Sequence, residues 1–404
     1  MKVTLNPISP ESSFASNKKK TVGVSAAVCV FVALVVGAVG FALGTRHRQS
    51  FFISGDKLDY SELDEVYASL QAKYDGDLDT KKLLQGAAAG MASATDDPHT
   101  AYFSVEDAKE LTSDLNGSFT GIGIELGQNE DKQLEIVTPL DDSPAKAAGL
   151  KARDVITAVN GENSLLWAPE KAVTKIRGEA GTTVKLTILR DGKTEDYSII
   201  RTKITVPSVE SEIVDGIGYM RISRFGDDTN SLARKAAEEF RKASVKGIIL
   251  DLRGNGGGYV DGAVTVSSLW LEPGTTVVEE RRGSQIFKIE KSSGSAILKD
   301  IKTVVLVDGG SASASEIVAG ALQDNDVATL VGTKTYGKGS VQELLPLRSG
   351  ATLKVTIAKW YTPKGKNIDG SALEPDEEVE MTAEEYNAGN DTQRQHAIEI
   401  LNNL

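Results

Sequence analysis

The sequence predicts a multidomain protein of mixed α/β and α+β class, and three observations support this. A charge-free apolar run fills residues 21–43, short strands with glycine turns fill residues 115–204, and strands alternate with helices over residues 205–375. The length of 404 residues agrees with this division, because chains beyond about 250–300 residues rarely fold around one core. We therefore expect an N-terminal transmembrane helix, a helical segment, a small β-barrel and an α/β core.

The composition excludes several classes of function. A net charge of −12 argues against a nucleic-acid-binding surface. The sequence has one cysteine, Cys29, which excludes an intramolecular disulfide and a cysteine metal cluster. His47, His99 and His396 are scattered along the chain, a poor supply for a metal centre or a histidine-based triad. A serine hydrolase built on this chain would need another base, and neither a metal nor an organic cofactor is required.

Residues 21–43 are predicted to form a membrane anchor. As a helix they would span roughly 35 Å, enough for a hydrocarbon core of about 30 Å. The basic run at residues 18–20 makes residues 1–20 a cytoplasmic tail by the positive-inside rule. The run is longer than a signal-peptide core and lacks a clear cleavage site, so we favour a retained anchor over a cleaved signal. In either case the chain from about residue 44 onward should lie outside the cytoplasm of a bacterial cell, at the cell membrane.

Residues 44–114 are predicted to be helical. Leu63, Val66, Tyr67 and Leu70 repeat at helical spacing, and the loop DDPHT that follows contains a proline helix stop. His99 in this loop could be catalytic. An isolated loop histidine is more often structural or exposed, and we favour that interpretation.

Residues 115–204 form the predicted small β-domain, with SFTGIGIELG and QLEIVTPL as its first strands and PEKAVTKIRG as a helix. The loop Gly121, Ile122, Gly123, Ile124 and the run SPAKAAGLKARDVITAVNG resemble the carboxylate-binding loop and a characteristic run of PDZ domains. The resemblance implies that backbone N–H groups of the loop bind the terminal carboxylate of a peptide added as a strand. A small β-barrel with a glycine turn is the alternative. The nearby cations at 175 and 177 could pair with an acidic ligand, but we expect them to be solvated.

Residues 205–375 alternate strands such as KGIILDL and KTVVLVDGG with helices, which predicts an α/β core. The order strand, glycine-rich turn, helix occurs twice, at 247–270 and 303–324, and two such turns can direct backbone donors at one place. Residues 376–404 are acidic and then helical, and nothing in them suggests chemistry.

The second glycine-rich turn carries our candidate nucleophile, Ser313, at a strand–turn–helix junction where backbone N–H groups lack intrahelical partners. Lys338, between two glycines, follows 25 positions later, and Gln342 comes four further on. Local pattern alone permits plainer interpretations. Ser313-x-x-Glu316 is also a capping box, and a lysine between glycines is most often a solvated turn residue.

The order of several motifs along the chain favours the catalytic interpretation of Ser313 and Lys338. These motifs are GMASATDDPHTAYFS, the PDZ-like run, DLRGNGGGYV, GGSASASEI, GTKTYGKGSVQ and AKWYTPKGKNI. Together, over residues 58–380, they resemble the carboxyl-terminal processing peptidases, also called tail-specific proteases. The resemblance implies a crotonase- and ClpP-like α/β protease core with Ser313 as nucleophile, Lys338 as general base and Gln342 as the group that orients the lysine.

The same resemblance implies an oxyanion hole made by the backbone N–H of Ala314 and of a glycine in the DLRGNGGG turn. Gly257 is our first choice for that glycine and Gly258 the second. Two departures from the family pattern stand out. Gly256 replaces a proline, which should loosen this turn, and SALEPDEEV replaces a shorter motif and has no functional interpretation from the sequence.

The implied function is a membrane-anchored serine endopeptidase that cleaves proteins or peptides with exposed C-terminal tails. Its PDZ domain would recognise the tail or gate the site, and a homo-oligomer is compatible with it. For a lysine to act as a base near neutral pH, its pKa must fall by about 3 units from its ordinary value of about 10.4. Burial of the amine can lower the pKa by that amount. The alternatives are a catalytically inactive PDZ scaffold or adaptor, and acyl-thioester chemistry on a crotonase-type fold, which the predicted external location disfavours.

Overall fold

The computed structural model describes residues 58–129, 131–382, 384–385 and 388–403, in two units that divide after Asp79. None of the helices in these ranges has the length and apolar character needed to cross a membrane. The predicted cytoplasmic tail (1–20) and transmembrane anchor (21–43) lie outside the described residues, so the anchor stays a prediction.

The described part of the first unit consists mainly of helix α1, Ser61–Lys73. It begins with acidic residues and ends with a lysine, which suits the helix dipole. Its apolar stripe is exposed: Leu63, Val66 and Tyr67 keep 48%, 51% and 37% of their surface.

The second unit begins with helices α2 (Thr80–Ser93) and α3 (Val105–Leu115), and strand β1 (Ala101–Phe103) lies between them. The sequence predicts only helices here. The proline of DDPHT ends helical structure, and β1 then pairs antiparallel with a strand some 250 residues later, Ala101 opposite Lys354. A partner this distant leaves no local pattern. Helix α3 starts at Ser104, whose Oγ accepts the backbone N–H of Asp107.

The small β-domain is a sheet in the order β3-β4-β5-β7-β8, with β6 beside β5 and two short helices. Its elements are β2 (Ser118–Gly121), β3 (Ile124–Gln128), β4 (Leu134–Pro139), α4 (Pro144–Ala147), β5 (Val155–Val159), β6 (Glu162–Asn163), α5 (Pro169–Ile176), β7 (Thr183–Arg190), β8 (Lys193–Ile200) and β9 (Thr202–Thr205). The strand predicted over SFTGIGIELG is divided, because Gly123 has φ +74° and a Cβ there would lie 2.4 Å from Ser143 Cβ. Its first half, β2, pairs with β9 in a two-stranded ribbon, which is where the chain enters and leaves the domain.

The central sheet of the core has the order β10-β11-β12-β15-β16-β19 and is parallel except for β10. Its strands are β10 (Val209–Val214), β11 (Ile217–Ile222), β12 (Gly247–Asp251), β15 (Lys302–Val307), β16 (Ala328–Gly332) and β19 (Glu377–Glu378). Apolar residues on one face pack against helices α6 (Thr229–Ala243), α7 (Val260–Ser267) and α8 (Ala314–Asp324). The other face packs against α9 (Thr392–Asn403) through Ala397 and Leu401. The C-terminal segment thus completes the core.

A second sheet covers the helical side of this core. It has the order β1-β18-β13-β14, with β17 beside β18, and its remaining strands are β13 (Thr276–Arg282), β14 (Gln285–Lys291), β17 (Ser340–Pro346) and β18 (Thr352–Tyr361). Val341, Ala358 and Trp360 of this sheet join the core formed by α6, α7 and α8. The predicted mixed α/β multidomain class is confirmed.

Candidate active site

Ser313 occupies a sharp turn between β15 and α8. Its backbone has φ 54° and ψ −113°, a conformation rare for a residue with a side chain, and it is the N-cap of α8. Ala314, the next residue, is the first of the helix, and its N–H has no hydrogen-bond partner among the described residues. Such strained positions concentrate at functional sites, since the surrounding structure must hold them.

The two glycine-rich turns meet beside this serine, because β12 and β15 are neighbouring parallel strands. The carbonyl of Asn255 accepts the backbone N–H of Ala312 at 3.0 Å and the hydroxyl of Ser315 at 2.8 Å. The N–H of Gly254 donates to Asp308 Oδ1 at 2.9 Å. These bonds lock the turn after β12 against the turn that carries Ser313.

Gly257 and Gly258 lie in the turn beside Ser313 and have no room for side chains. A Cβ on Gly257 would lie 2.8 Å from Ser313 Cβ, and one on Gly258 would lie 2.2 Å from the carbonyl oxygen of Phe225. The N–H of Gly257 donates to Asn255 Oδ1 at 2.9 Å. No hydrogen-bond partner of the Gly258 N–H occurs in the described chain.

Glu316 ties the serine turn to the lysine loop. Its side chain is fully buried, and Oε2 accepts the backbone N–H groups of Ser313, at 2.9 Å, and of Lys338, at 3.0 Å. Its other oxygen, Oε1, accepts from the backbone N–H of Gly337 at 2.7 Å and from the hydroxyl of Thr335 at 2.6 Å. The capping bond predicted between Glu316 and the backbone of Ser313 is present. The sequence did not reveal the three further bonds from Glu316 to the loop of residues 335–338.

Lys338 lies in a tight loop between Gly337 and Gly339. Gly337 has φ +87°, and a Cβ on Gly339 would lie 1.9 Å from the backbone nitrogen of Asp369. The loop also packs against the SALEPDEEV segment, since Leu373 exchanges hydrogen bonds with Thr335. That segment therefore supports the lysine loop.

Lys338 is half-buried. Within the described chain its amine forms no hydrogen bond or ion pair, and in particular none with Ser313 or Gln342. Burial lowers the pKa of Lys338 below its ordinary value of 10.5, and the positive charge of Lys354 lowers it further, while Glu316 opposes both. A depressed pKa is what a lysine needs to act as a base near neutral pH.

Gln342 shares this cavity but bonds to other groups. Its Nε2 donates to Ser340 Oγ at 2.7 Å and lies 3.4 Å from Thr356 Oγ1. The backbone N–H of Thr356 donates to Thr100 Oγ1, whose hydroxyl donates to Asp97 Oδ2 at 2.6 Å. The DDPHT loop thus supports the strand that contacts Gln342.

Asp97 anchors this loop. Burial would raise its pKa, but hydrogen bonds from Thr100, Thr356 and the backbone of His99 outweigh it and hold the pKa at about 2. His99 does not line the cavity around Ser313, which agrees with the structural interpretation of this histidine.

Ser313, Lys338 and Gln342 line one cavity of about 640 Å³. Its other lining residues are Leu111, Asp114, Leu115, Arg224, Gly256, Gly257, Gly258, Tyr259, Val260, Ser340, Glu343, Leu344, Lys354 and Trp360. No group of histidine, cysteine and carboxylate side chains suited to a metal ion occurs among the described residues. The arrangement suits nucleophilic acyl transfer with backbone donors beside the nucleophile.

Comparisons with known proteins decide the family. Residues 216–379 match peptidase family S41, and residues 135–190 match the PDZ domain. The chain is 34% identical over 418 residues to a protein of Staphylococcus haemolyticus (strain JCSC1435) named "Probable CtpA-like serine protease", and the match covers 98% of this chain and 84% of the relative. The chain belongs to peptidase family S41.

Two further comparisons agree with this S41 assignment. A relative of the same name from Staphylococcus saprophyticus (strain ATCC 15305) is 36% identical over 86% of this chain and 70% of its own length. A solved structure of the photosystem II D1 C-terminal processing protease is similar with a TM-score of 0.50 and 29% identity, over 80% of this chain and 87% of that one. The chain is a serine peptidase, and its predicted resemblance to the C-terminal processing peptidases is confirmed.

An ionic cluster behind the S41 site involves the C-terminal segment. The guanidinium of Arg253 donates to both oxygens of Asp251 and to both of Asp391, at 2.6–2.9 Å. Asp391 precedes α9, so this cluster joins the segment before α9 to the turn that leads to Gly257. No local sequence pattern marks this link between residues 138 positions apart.

The PDZ domain has its own groove of about 290 Å³, between β3 and α5. Gly121, Ile122, Gly123 and Ile124 line this groove, and so does Val173. The Arg177 guanidinium also lines the groove, 5.0 Å from the centre of the Phe119 ring, whereas Lys175 is ion-paired with Glu162 at 3.1 Å.

Proposed function

We propose that this S41 peptidase is a membrane-anchored endopeptidase that cleaves protein substrates near their C-termini, with Ser313 as nucleophile and Lys338 as general base. The catalytic assignment rests on a single observation. The carboxylate of Glu316 accepts the backbone N–H groups of both Ser313 and Lys338. Both residues line the same cavity, where no ion pair of Lys338 occurs among the described residues.

In the proposed reaction, the hydroxyl oxygen of Ser313 attacks the scissile carbonyl while the neutral amine of Lys338 takes the hydroxyl proton. Collapse of the tetrahedral intermediate breaks the C–N bond, and Lys338 returns the proton to the leaving amine. A water molecule, deprotonated by the same lysine, then attacks the acyl-serine, and Ser313 regains its proton from Lys338 as the acid product leaves.

The oxyanion would be bound by the N–H groups of Ala314 and one glycine of the neighbouring turn. Each such donor is typically worth about 2.7–4 kcal/mol in the transition state. Because the N–H of Gly257 is engaged by Asn255, the geometry favours Gly258 as that second donor. Gln342 would orient the Lys338 amine once substrate displaces its present contacts with Ser340 and Thr356.

Cleavage near the C-terminus is inferred from two features. The PDZ groove suits an extended peptide whose terminal carboxylate reaches the loop at Gly121. The related solved protease is named for C-terminal processing of the D1 protein. We place the active site outside the cytoplasm, anchored by residues 21–43, on the basis of the apolar run and the basic residues before it. A PDZ domain that binds the tail could present the chain to Ser313 or open the site.

The test uses the full chain in membranes and an unfolded reporter protein with an apolar C-terminal tail. We expect wild-type protein to shorten the reporter from its C-terminal end, and Ser313→Ala and Lys338→Ala to leave it intact while unfolding at wild-type temperature. Cleavage by either folded variant would contradict the dyad. Fractionation before and after a carbonate wash, with a variant lacking residues 21–43 as control, tests the anchor.

A further inference from the structure

A second lysine, Lys354, lines the same cavity as Ser313 and Lys338. It comes from β18, two residues before Thr356, so both side chains point to the same face of that strand. On this face Thr356 meets Gln342 of β17, next to a bulge where the register shifts. Bulges beside active sites commonly re-aim side chains, and this one aligns Gln342 with the face that carries Lys354.

Among the described residues, Lys354 has an aromatic neighbour and no anionic partner. Its Nζ lies 5.3 Å from the centre of the Phe103 ring, a distance typical of a cation–π contact, and the described chain contains no ion pair for it. Lys359, on the same strand, shows the ordinary arrangement: it is exposed and pairs with Asp369 at 2.7 Å. A half-buried cation that lines the cavity, and has no anionic partner in the described chain, can act on the other charges of this site.

The charges around the Lys338 amine come from several elements. Glu316 of α8 favours a protonated Lys338, and the carboxylates of Asp114 of α3 and Glu343 of β17 line the cavity. Besides Lys338, the cavity is lined by two other cations, which are Arg224 and Lys354. The phenol of Tyr259 also lines it. The guanidinium of Arg224 is engaged elsewhere, since it donates to the carbonyls of Asn116 and Val206 and lies 3.6 Å from Asp228. Lys354 is therefore the cation positioned to oppose the protonation of Lys338.

Two amines in one confined cavity repel each other when both are charged. The ring of Phe103 offers the Lys354 amine a cation–π contact, and no such contact of Lys338 occurs among the described residues. The lower pKa of Lys338, caused first by burial and then by Lys354, agrees with this geometry.

We propose that Lys354 is a positioning residue of this site, whose positive charge keeps the Lys338 amine in the neutral form that accepts the Ser313 proton. The inference rests on the proposed Ser313–Lys338 dyad and assigns no contact with substrate to Lys354. It predicts a change in pH dependence, which a purely structural residue would not cause.

The experiment measures kcat/KM from about pH 6 to 10 for the full chain on a quenched peptide with an amidated C-terminus, which has no carboxylate for Lys354 to bind. Lys354→Met should move the acidic midpoint upward by about half to one pH unit, so that activity falls about threefold to tenfold below the midpoint and reaches the wild-type plateau above it. Lys354→Arg, which keeps the charge, should match wild type. Lys235→Met, an exposed lysine of α6, is the matched control.

An unchanged midpoint in Lys354→Met would overturn the inference, and so would an equal loss of activity at every pH, which indicates a structural or substrate-binding role. If Lys354→Met unfolds, Lys354→Gln and the pH dependence of Ser313 modification by diisopropyl fluorophosphate give the same comparison. Lys338→Met is run in parallel. Activity in that variant would refute the dyad itself, whereas an inactive Lys338→Met with an unchanged Lys354→Met midpoint refutes only the role of Lys354.

Discussion

Glu316 Oε2 lies 3.0 Å from the backbone nitrogen of Lys338, and the same oxygen accepts the N–H of Ser313. One buried carboxylate thus ties the turn that carries the proposed nucleophile to the loop that carries the proposed base. Precise placement of reacting groups contributes strongly to catalysis, and small misplacements are costly. Glu316 is therefore the residue on which the assembly of this site depends.

Glu316→Gln should abolish most activity. The amide keeps one acceptor oxygen, and its NH2 group would face backbone donors that now bond to the carboxylate. Losing charge-assisted bonds of about 1.5–3 kcal/mol each should lower kcat/KM by about 100-fold or more and reduce the thermal midpoint. Peptide cleavage and calorimetry check this. Glu238→Gln, an exposed carboxylate on α6, is the control, and wild-type kcat/KM in Glu316→Gln would contradict the role of Glu316.

Lys338→Met should inactivate the enzyme and stabilise the fold. Because the folded-state pKa of Lys338 lies below 10.5, the folded protein binds this proton less tightly than the unfolded chain does. The wild type therefore carries a stability cost below the folded-state pKa, and the cost disappears as pH rises toward 10.5. Removing the amine should raise stability at neutral pH by about 0.5–2 kcal/mol.

Denaturant unfolding at several pH values measures this difference. The advantage of Lys338→Met should be greatest at neutral pH and vanish above 10.5. If Lys338→Met is less stable than wild type at neutral pH, Lys338 stabilises the fold. That result would contradict the stability cost expected for this lysine.

Gly256→Pro should stabilise the protein and preserve activity. Gly256 has open space around its Cβ position, no positive φ, and no hydrogen-bond partner for its N–H in the described chain. A proline that fits the native backbone gains about 0.4–1 kcal/mol by restricting the unfolded chain. Thermal melting and kcat/KM test this. Destabilisation would mean that the turn requires the freedom of glycine.

Val173→Asp should weaken tail binding by the PDZ groove, since it places a carboxylate among apolar residues of a binding site. We expect the dissociation constant for a fluorescent peptide with an apolar C-terminus to rise about tenfold or more, a difference of about 1.4 kcal/mol. Thr174→Asp is a matched control, because the neighbouring position on the same helix is exposed and lies outside the groove. Equal effects of both variants would indicate general electrostatics.

Local patterns carried much of the prediction. The strand–turn–helix signal located the start of α8, and the glycines around Lys338 marked a loop that packs closely on Asp369. Two consecutive strand–turn units predicted that their turns meet, and Asn255 does contact the serine turn. Each of these predictions started from a pattern within a short stretch of the chain.

The sequence could not show features made by distant partners. Strand β1 exists because it pairs with β18, and the bonds from Glu316 to the lysine loop join residues 19–22 positions apart with no regular period. The positive φ of Ser313 likewise has no local pattern in the sequence that would reveal it. The unpaired charge of Lys354 became visible only when β18 was placed beside the cavity.

The most direct test of the central claim is mass spectrometry of the full chain after reaction with diisopropyl fluorophosphate near neutral pH. We predict one phosphoryl adduct, located at Ser313 by peptide mapping, and no adduct in Ser313→Ala. Folded Lys338→Met should react at least about 100-fold more slowly, as loss of a general base implies. An adduct at another serine, or modification of Lys338→Met at the wild-type rate, would contradict the account.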